Sequence, residues 1–282
     1  MKQRIISGTV GMLLLIAAFF LFDTIFFDIA FAFVSVLAVY ELLCATKFIN
    51  NRLLSTVSLV FSALVAFFRT PYFNEYAKIC CVLFVIILLA ILFIKRKTVT
   101  IEKIGTIFFV SLCLPLALCS ALFMKNEFGI HAEFYVIFCF AASWISDIGA
   151  YFTGIFFGKH KMAPSISPNK TIEGLIGGII FDIIGCLFVA FIYSNIFNSL
   201  NPNNQITFNY WLIGVITLIL AIVSVLGDLT ASIIKRQCSI KDFGSILPGH
   251  GGVLDRFDSF IFVAPVVYFI VLYLGKFIIL TL

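Results

Sequence analysis

Charge is scarce in this sequence. Only 12% of the 282 residues are Asp, Glu, Lys or Arg, whereas 62% are apolar, and the mean hydropathy is +1.15. A soluble domain of this length cannot bury so much apolar surface, and apolar runs of about 20 residues are long enough to cross a bilayer. The composition therefore excludes an ordinary soluble domain and indicates a membrane protein.

Several familiar sequence signatures are also missing. The eight cysteines form no C-x-x-C pair, which argues against zinc sites and disulfide frameworks. Gly154-x-x-x-Gly158-Lys159 superficially resembles a P-loop, but it has one residue too few between the glycines and no Ser or Thr after the lysine. No internal repeat is visible, and no segment shows the two-residue alternation of a transmembrane strand.

We therefore predict an all-α fold, a polytopic membrane bundle with about nine transmembrane helices. Helices are expected because backbone amides in hydrocarbon need partners within their own segment. The predicted spans are roughly residues 5–22, 24–45, 53–69, 78–94, 104–123, 133–156, 174–197, 209–234 and 258–280.

The distribution of Lys and Arg predicts the orientation of the spans. With the N-terminus inside, 15 of the 19 basic residues fall on cytoplasmic segments. The net charge of +5 then reflects topology and contact with anionic membrane lipids, with no need for nucleic acid. We expect a multi-pass protein of a bacterial cytoplasmic (inner) membrane, with its N-terminus and active site in the cytoplasm. A homodimer stays open at this stage.

Unusual polar residues are concentrated in the second half of the chain. Residues 1–130, with about five spans, carry little candidate chemistry and are interpreted as a scaffold. Residues 131–282, with about four spans, hold nearly all of it and are interpreted as the catalytic region.

Two carboxylates, Asp147 and Asp228, lie inside predicted spans. A charge at mid-membrane costs about 2.5–3.5 kcal/mol on insertion scales, so each needs a partner, a cavity or a metal. Helical spacing places Asp147 on a stripe with Ser143 and Tyr151, and Asp228 on a stripe with Ser224 and Lys235. We expect the two carboxylates to share one cytoplasm-facing cavity with Asp255 and Asp258. The bland alternative is that Asp228 and Lys235 only neutralise helix ends.

Two other acids that lie in predicted spans receive no catalytic role. Asp182 has no polar companions on its helix face. Glu41, near the cytoplasmic end of the second span, is interpreted as an interface anchor or a helix-end partner.

The loop from Gly158 to Gly174 is a second polar cluster. Ser167 followed by Pro168 is predicted to cap and begin a helix, with Glu173 favouring its first turn. A helix N-terminus with Lys170 beside it suits a phosphate group. The alternative is an ordinary positive loop that starts a helix. Gly174 and Gly178 form G-x-x-x-G, which predicts close helix packing.

The segment from Ser232 to Asp258 holds most of the chemistry. It reads S-I-I-K-R-Q-C-S-I-K-D-F-G-S-I-L-P-G-H-G-G-V-L-D-R-F-D. Charges of both signs and closely spaced glycines beside hydrophobic helices indicate a polyphosphate and metal site at a membrane surface.

This segment resembles the diagnostic pattern of the phosphatidate cytidylyltransferases, also called CDP-diacylglycerol synthases. S-x-x-K-R, then K-D after four intervening residues, then P-x-H-G-G-x-x-D-R-x-D are all present with the spacing intact. The upstream runs S-D-I-G-A-Y-F-T-G and S-P-N-K-T-I-E-G resemble a second block of that family. Together these runs cover about the C-terminal half, and the first 130 residues match only in hydropathy.

The resemblance implies transfer of CMP from CTP to phosphatidic acid, giving CDP-diacylglycerol and pyrophosphate, with Mg²⁺ and a second cation as an option. Asp228 and Asp255 are the first choice as metal ligands, and Asp258 and Asp147 are candidates for a second metal or for support. The implied catalytic residues are Asp228, Asp255, Lys235, Arg236, Lys241, His250 and Arg256. The implied substrate-binding residues are Lys170, Asn169, Ser232, Gly251 and Gly252.

Two other functions are compatible with a polytopic chain of this kind. A CTP-dependent polyprenol or phytol kinase would release CDP rather than pyrophosphate. A transporter of phosphorylated solutes would more usually show repeated halves and charges near the bilayer midplane. The charges here gather near one face and in one motif, which favours an enzyme at the interface.

Overall fold

The computed structural model describes residues 2–249 and 251–281, with the backbone alone for residues 2–5. This part of the chain is mostly helical. Its α-helices are α1 (Lys2–Phe20), α2 (Ile25–Ala45), α3 (Arg52–Val65), α4 (Asn74–Ile94), α5 (Ile101–Phe108), α6 (Leu114–Glu127), α7 (Ala132–Phe157), α8 (Ile172–Leu200), α9 (Tyr210–Gln237) and α10 (Leu254–Ile278). Its strands are β1 (Lys161–Ala163), β2 (Ser167–Thr171), β3 (Ile206–Phe208) and β4 (Ile279–Thr281).

The helices confirm a polytopic helical membrane protein. Within the described residues, seven helices are long and apolar enough to cross a membrane, counting α5 and α6 as one helix joined by a π-helical turn at Phe109–Cys113. The predicted spans at 5–22 and 53–69 correspond to shorter apolar helices, Ile6–Phe20 and Arg52–Val65. The predicted number of about nine spans therefore corresponds to the seven long helices together with these two shorter ones.

The chain forms two compact units. The first consists of Met1–Gly129 and Lys235–Phe257, and the second of Ile130–Ile234 and Asp258–Leu282. These units are defined by packing alone, so the functional division placed at residue 130 stays a prediction.

The first unit packs around α2, whose apolar side chains are buried against α3 and α6. Phe61 of α3 stacks on Phe84 of α4 with ring centroids 3.9 Å apart. One buried ion pair joins α6 to α2, with the Lys125 ammonium 2.9 Å from the Asp28 carboxylate. Lys125 also donates to the carbonyl of Thr24, so this buried charge is well satisfied.

The second unit depends on the close packing of α7 and α8. A Cβ atom added at Gly178 would lie 2.9 Å from the carbonyl oxygen of Ser146, and one at Gly149 would lie 2.6 Å from Cβ of Phe181. The absence of side chains therefore lets these two backbones approach. A Cβ atom at Gly174 would likewise lie 2.9 Å from the carbonyl oxygen of Ala150, which confirms the prediction that Gly174 and Gly178 serve close packing. The antiparallel pair β3 and β4 joins the start of α9 to the end of α10.

The predicted start of α8 at Ser167 and Pro168 is wrong. Both residues lie in β2, which pairs with β1 as a short antiparallel hairpin. The fixed φ of proline and the extended preference of the residue before it are compatible with a strand. The helix begins at Ile172 instead, because the Thr171 side chain accepts a hydrogen bond from the Gly174 N–H and caps the first turn.

Candidate active site

Three acidic side chains of the second unit form what we term the carboxylate cluster: Asp147 on α7, Asp228 on α9 and Asp258 on α10. Asp147 interacts electrostatically with Asp228, with Asp258 and with Lys170. The Lys170 ammonium lies 2.5 Å from the Asp228 carboxylate. The structure thus brings together three acids that are far apart in the sequence.

Hydroxyl groups of neighbouring residues hold two of these carboxylates. The Ser259 hydroxyl donates to Oδ2 of Asp147 at 3.3 Å, and the Ser232 hydroxyl donates to Oδ1 of Asp228 at 3.4 Å. The lysine and aspartate of the Lys170–Asp228 pair are 22% and 27% exposed, so the cluster is open to small polar molecules.

Small residues allow α7, α9 and α10 to approach one another near the carboxylate cluster. A Cβ atom added at Gly227 would lie 2.9 Å from the carbonyl oxygen of Asp258 and 3.1 Å from Cα of Ser259. The Ser224 hydroxyl lies 3.5 Å from the carbonyl oxygen of Ser143, so the two predicted polar stripes of α7 and α9 do meet. The small residues Gly227, Ser224 and Ser143 therefore help to bring the carboxylates close together.

The charge of the carboxylate cluster suits a divalent cation. Lys170 pairs with Asp228 and also interacts electrostatically with Asp147. Among the described residues, no group of three or more His, Cys, Asp or Glu side chains is close enough to hold a metal by itself. Mg²⁺ is usually bound by one or two carboxylates together with substrate phosphates and water. The hard oxygen donors of this cluster fit that arrangement.

A second group of residues, in the first unit, is organised around Asp255 and is termed the loop cluster. The Lys235 ammonium donates to Oδ1 of Asp255 at 2.8 Å. Oδ2 accepts the N–H groups of Phe243 and Gly252 at 2.8 and 3.0 Å. Asp255 and Lys235 are 4% and 13% exposed. One buried carboxylate thereby fixes the fold of the loop between α9 and α10.

Glycine geometry shapes the tip of this loop. Gly249 and Gly251 have φ values of +80° and +83°, a conformation that glycine adopts readily. The Leu247 N–H donates to the Gly251 carbonyl at 3.0 Å and closes a tight turn. His250, predicted as a catalytic residue, lies outside the described residues.

Glu41 of α2 holds the beginning of α10. Its two carboxylate oxygens accept the N–H groups of Val253 and Leu254 at 2.9 and 2.8 Å. A Cβ atom added at Gly252 would lie 2.5 Å from Oε2 of Glu41, so the loop needs glycine there. Glu41 is therefore a helix-end partner, which was one of its two interpretations from the sequence. The helix that it holds is α10, which is distant from Glu41 in the sequence. A carboxylate near the end of an apolar helix is the only signal that the sequence gives.

The remaining predicted residues are more accessible. Arg236, Lys241, Arg256 and Asn169 are exposed. Lys170, expected at a helix N-terminus, belongs to β2 and contacts Asp228 instead. These positions leave several basic groups accessible to a bound anion.

Comparison with known proteins agrees with these features. The model of the cytidylyltransferase family matches residues 2–274. A phosphatidate cytidylyltransferase of Bacillus subtilis (strain 168) is 34% identical over 283 residues, covering 96% of this chain and 97% of that protein. Those of Staphylococcus haemolyticus and Staphylococcus saprophyticus are 48% and 45% identical over 137 and 145 residues, about half of each chain. The match extends through both units, and the chain belongs to the cytidylyltransferase family.

Proposed function

We propose that this protein is a phosphatidate cytidylyltransferase, which makes CDP-diacylglycerol and pyrophosphate from CTP and phosphatidic acid. The relatives matched over most or half of the chain carry this name. An oxygen of the phosphatidate phosphate attacks the α-phosphorus of CTP, and the bond from that phosphorus to the β-phosphate bridging oxygen breaks. The observation that carries the proposal is the carboxylate cluster, three acids on membrane helices with one lysine among them.

The carboxylate cluster would hold Mg²⁺ together with phosphate oxygens. Asp228 keeps its predicted role as a ligand, and Asp147 and Asp258 are the further ligands or the holders of a second cation. When bound, the metal supplies positive charge against the triphosphate and the departing pyrophosphate. Lys170, beside Asp228, would bind a phosphate oxygen as a point charge.

Asp255 is better suited to positioning than to direct metal binding. Its two oxygens already accept one ammonium and two backbone N–H groups. We assign it the task of keeping Lys235 and the Gly251–Gly252 backbone in place. This role also accounts for the spacing in the G-G-x-x-D motif, because an aspartate three residues after Gly252 can accept the Gly252 N–H.

Basic residues around the loop would bind the polyphosphate of CTP. Arg236, Lys241 and Arg256 are exposed, and arginine suits bidentate contact with phosphate. Lys235 is held by Asp255 and gives the loop a fixed positive charge. Ser232, Asn169 and His250 stay candidates for contact with substrate. No general base is needed, because the phosphate of phosphatidate is already ionised near neutral pH.

The orientation and assembly are also part of the proposal. The excess of basic residues on one side supports a cytoplasmic N-terminus and active site in a bacterial inner membrane. A homodimer is compatible with the chain, and gel filtration with light scattering in detergent would test it.

The decisive experiment is product analysis on detergent-purified protein. Wild type is incubated with CTP, phosphatidate and Mg²⁺ beside folded Asp228→Asn, and both pyrophosphate and CDP-diacylglycerol are measured. We expect both products in equal amounts, dependent on Mg²⁺ and lost in the variant. Release of CDP without a liponucleotide would point to a lipid kinase, and no turnover of nucleotide would point to transport.

A further inference from the structure

The first unit contains a cavity of about 640 Å³ that we term the basic pocket. Its lining comes from the segment between α2 and α3 with the first turn of α3, and from the segment between α4 and α5 with the first turn of α5. Four of its side chains are basic: Lys47, Arg52, Lys95 and Lys103. None of its lining residues belongs to the carboxylate cluster or to the loop cluster.

The charge of the basic pocket is uncompensated. No acidic residue is among its lining residues, all of which are described. Lys47, Arg52 and Lys95 are exposed and take part in none of the ion pairs found among the described residues. Lys103 donates to the Thr98 carbonyl at 2.9 Å, which holds its ammonium at the pocket. Four cations without an acid repel one another, and an anion would relieve that repulsion.

Backbone donors add to this charge. The lining includes Asn51, Arg52, Leu53 and Leu54, the N-cap and first turn of α3. First-turn N–H groups of a helix have no acceptor within the helix, and the Asn51 side chain does not cap them. A helix N-terminus beside several basic side chains is well suited to a phosphate group.

The surroundings of the basic pocket indicate that the anion belongs to a lipid. Phe93 and Ile94, at the end of α4, are 74% and 77% exposed and directly precede Lys95. Leu53 in the lining and Ile101 at the start of α5 are also exposed apolar residues. The pocket thus lies where the apolar surface of the helices gives way to charge, the depth of lipid headgroups.

We infer that the basic pocket binds the phosphate headgroup of an anionic phospholipid, whose acyl chains lie along the exposed apolar residues beside it. This inference does not rest on the proposed reaction, because it concerns other residues. It makes the N-terminal scaffold a lipid-binding element.

Native mass spectrometry of the full chain in detergent tests this inference, with dioleoyl phosphatidylglycerol as probe. This lipid is neither substrate nor product of the proposed reaction. The pocket variant is Lys47→Glu with Lys95→Glu. The control, Arg96→Glu with Lys97→Glu, makes the same change in charge at exposed neighbours outside the lining.

We expect the pocket variant to bind phosphatidylglycerol at least about tenfold more weakly than wild type, since each basic residue contributes roughly a fivefold factor. The control should bind as wild type does, and binding of dioleoyl phosphatidylcholine should be the same in all three proteins. Equal weakening in both variants would overturn the inference. Displacement of the lipid by millimolar inorganic phosphate or CTP would overturn the lipid assignment in favour of a soluble anion.

A second variant guards against misfolding. If the pocket variant does not elute as a single species with the unfolding temperature of wild type, Arg52→Gln replaces it. Its headgroup affinity should fall by about threefold to fivefold. Unchanged affinity in folded Arg52→Gln would overturn the inference.

Discussion

Lys170 and Asp228 form an ion pair between β2 and α9, with the lysine Nζ atom 2.5 Å from the aspartate Oδ2 atom. The lysine belongs to a short hairpin and the aspartate to a membrane helix. The pair therefore ties a polar loop to the carboxylate cluster and gives the proposed reaction its most direct test.

Replacement of Lys170 by Met should lower the rate of CDP-diacylglycerol formation by about 10-fold to 100-fold. The change removes the cation beside Asp228 and a proposed ligand of phosphate. Lys161→Met, which removes an exposed lysine of the same hairpin, should leave the rate nearly unchanged. Initial rates at saturating CTP and phosphatidate provide the measurement. Equal rates in the two variants would remove Lys170 from the proposed site.

Replacement of Glu41 by Gln should destabilise the protein by about 1–3 kcal/mol. The amide group presents a donor to one of the two N–H groups that the carboxylate now accepts from Val253 and Leu254. The midpoint of thermal unfolding in detergent should fall, and activity with it. Glu75→Gln, at an exposed position in the first turn of α4, is the control and should change neither. A Glu41→Gln variant as stable as this control would show that the contact contributes little.

Replacement of Gly227 by Ala should separate α9 from α10. The added Cβ would come within 2.9 Å of the Asp258 carbonyl oxygen, and overpacking of this kind costs about 1–3 kcal/mol. The carboxylate cluster should be displaced, so we expect a loss of activity beyond the loss of stability.

Gly214→Ala is the matched control for that variant, because it lies in the same helix and its Cβ would meet no atom within 4 Å. It should be neutral or stabilising by up to about 1 kcal/mol, since alanine favours a helix more than glycine does. Thermal unfolding and initial rates of both variants provide the comparison. Equal behaviour of the two would contradict the close approach of α9 and α10.

Replacement of Lys125 by Met should be strongly destabilising, by about 3–5 kcal/mol. It leaves the Asp28 carboxylate buried without its cation. Asp28→Asn with Lys125→Met should recover much of that loss, because neither residue is then charged. Arg69→Gln breaks an ion pair whose arginine is 46% exposed and should cost less than about 1 kcal/mol. Unfolding temperatures of wild type and the three variants would show whether burial of an ion pair determines how much its loss destabilises the protein.

Hydropathy and helical spacing predicted most of the fold and one part of the site. The spans follow from length and apolarity, and the stripes through Asp147 and Asp228 follow from a period of 3.6 residues. These are local properties, so they can be read from one sequence. The same reasoning failed at Ser167, because residues 167–171 pair with β1 as a strand and the helix is capped by Thr171 instead.

Contacts between distant parts of the chain could not be predicted in this way. Glu41 and Val253 are separated by 212 positions, and no pattern in the sequence connects them. Likewise, Asp255 has the motif spacing of a metal ligand, yet its oxygens are occupied by Lys235 and two N–H groups. Spacing identifies a residue that matters without saying whether it meets substrate or supports its neighbours.

The contact of Glu41 with Gly252 has a consequence for how such a protein can change over generations. Gly252 has no room for a side chain because the glutamate fills that space. A mutation that enlarges position 252 would push the Glu41 carboxylate away from the N–H groups of Val253 and Leu254, so we expect it to be better tolerated where position 41 is smaller. The two positions, although far apart in the sequence, should then change together. Exchanging the first half of the gene between relatives would test whether positions 41 and 252 must match for the protein to fold.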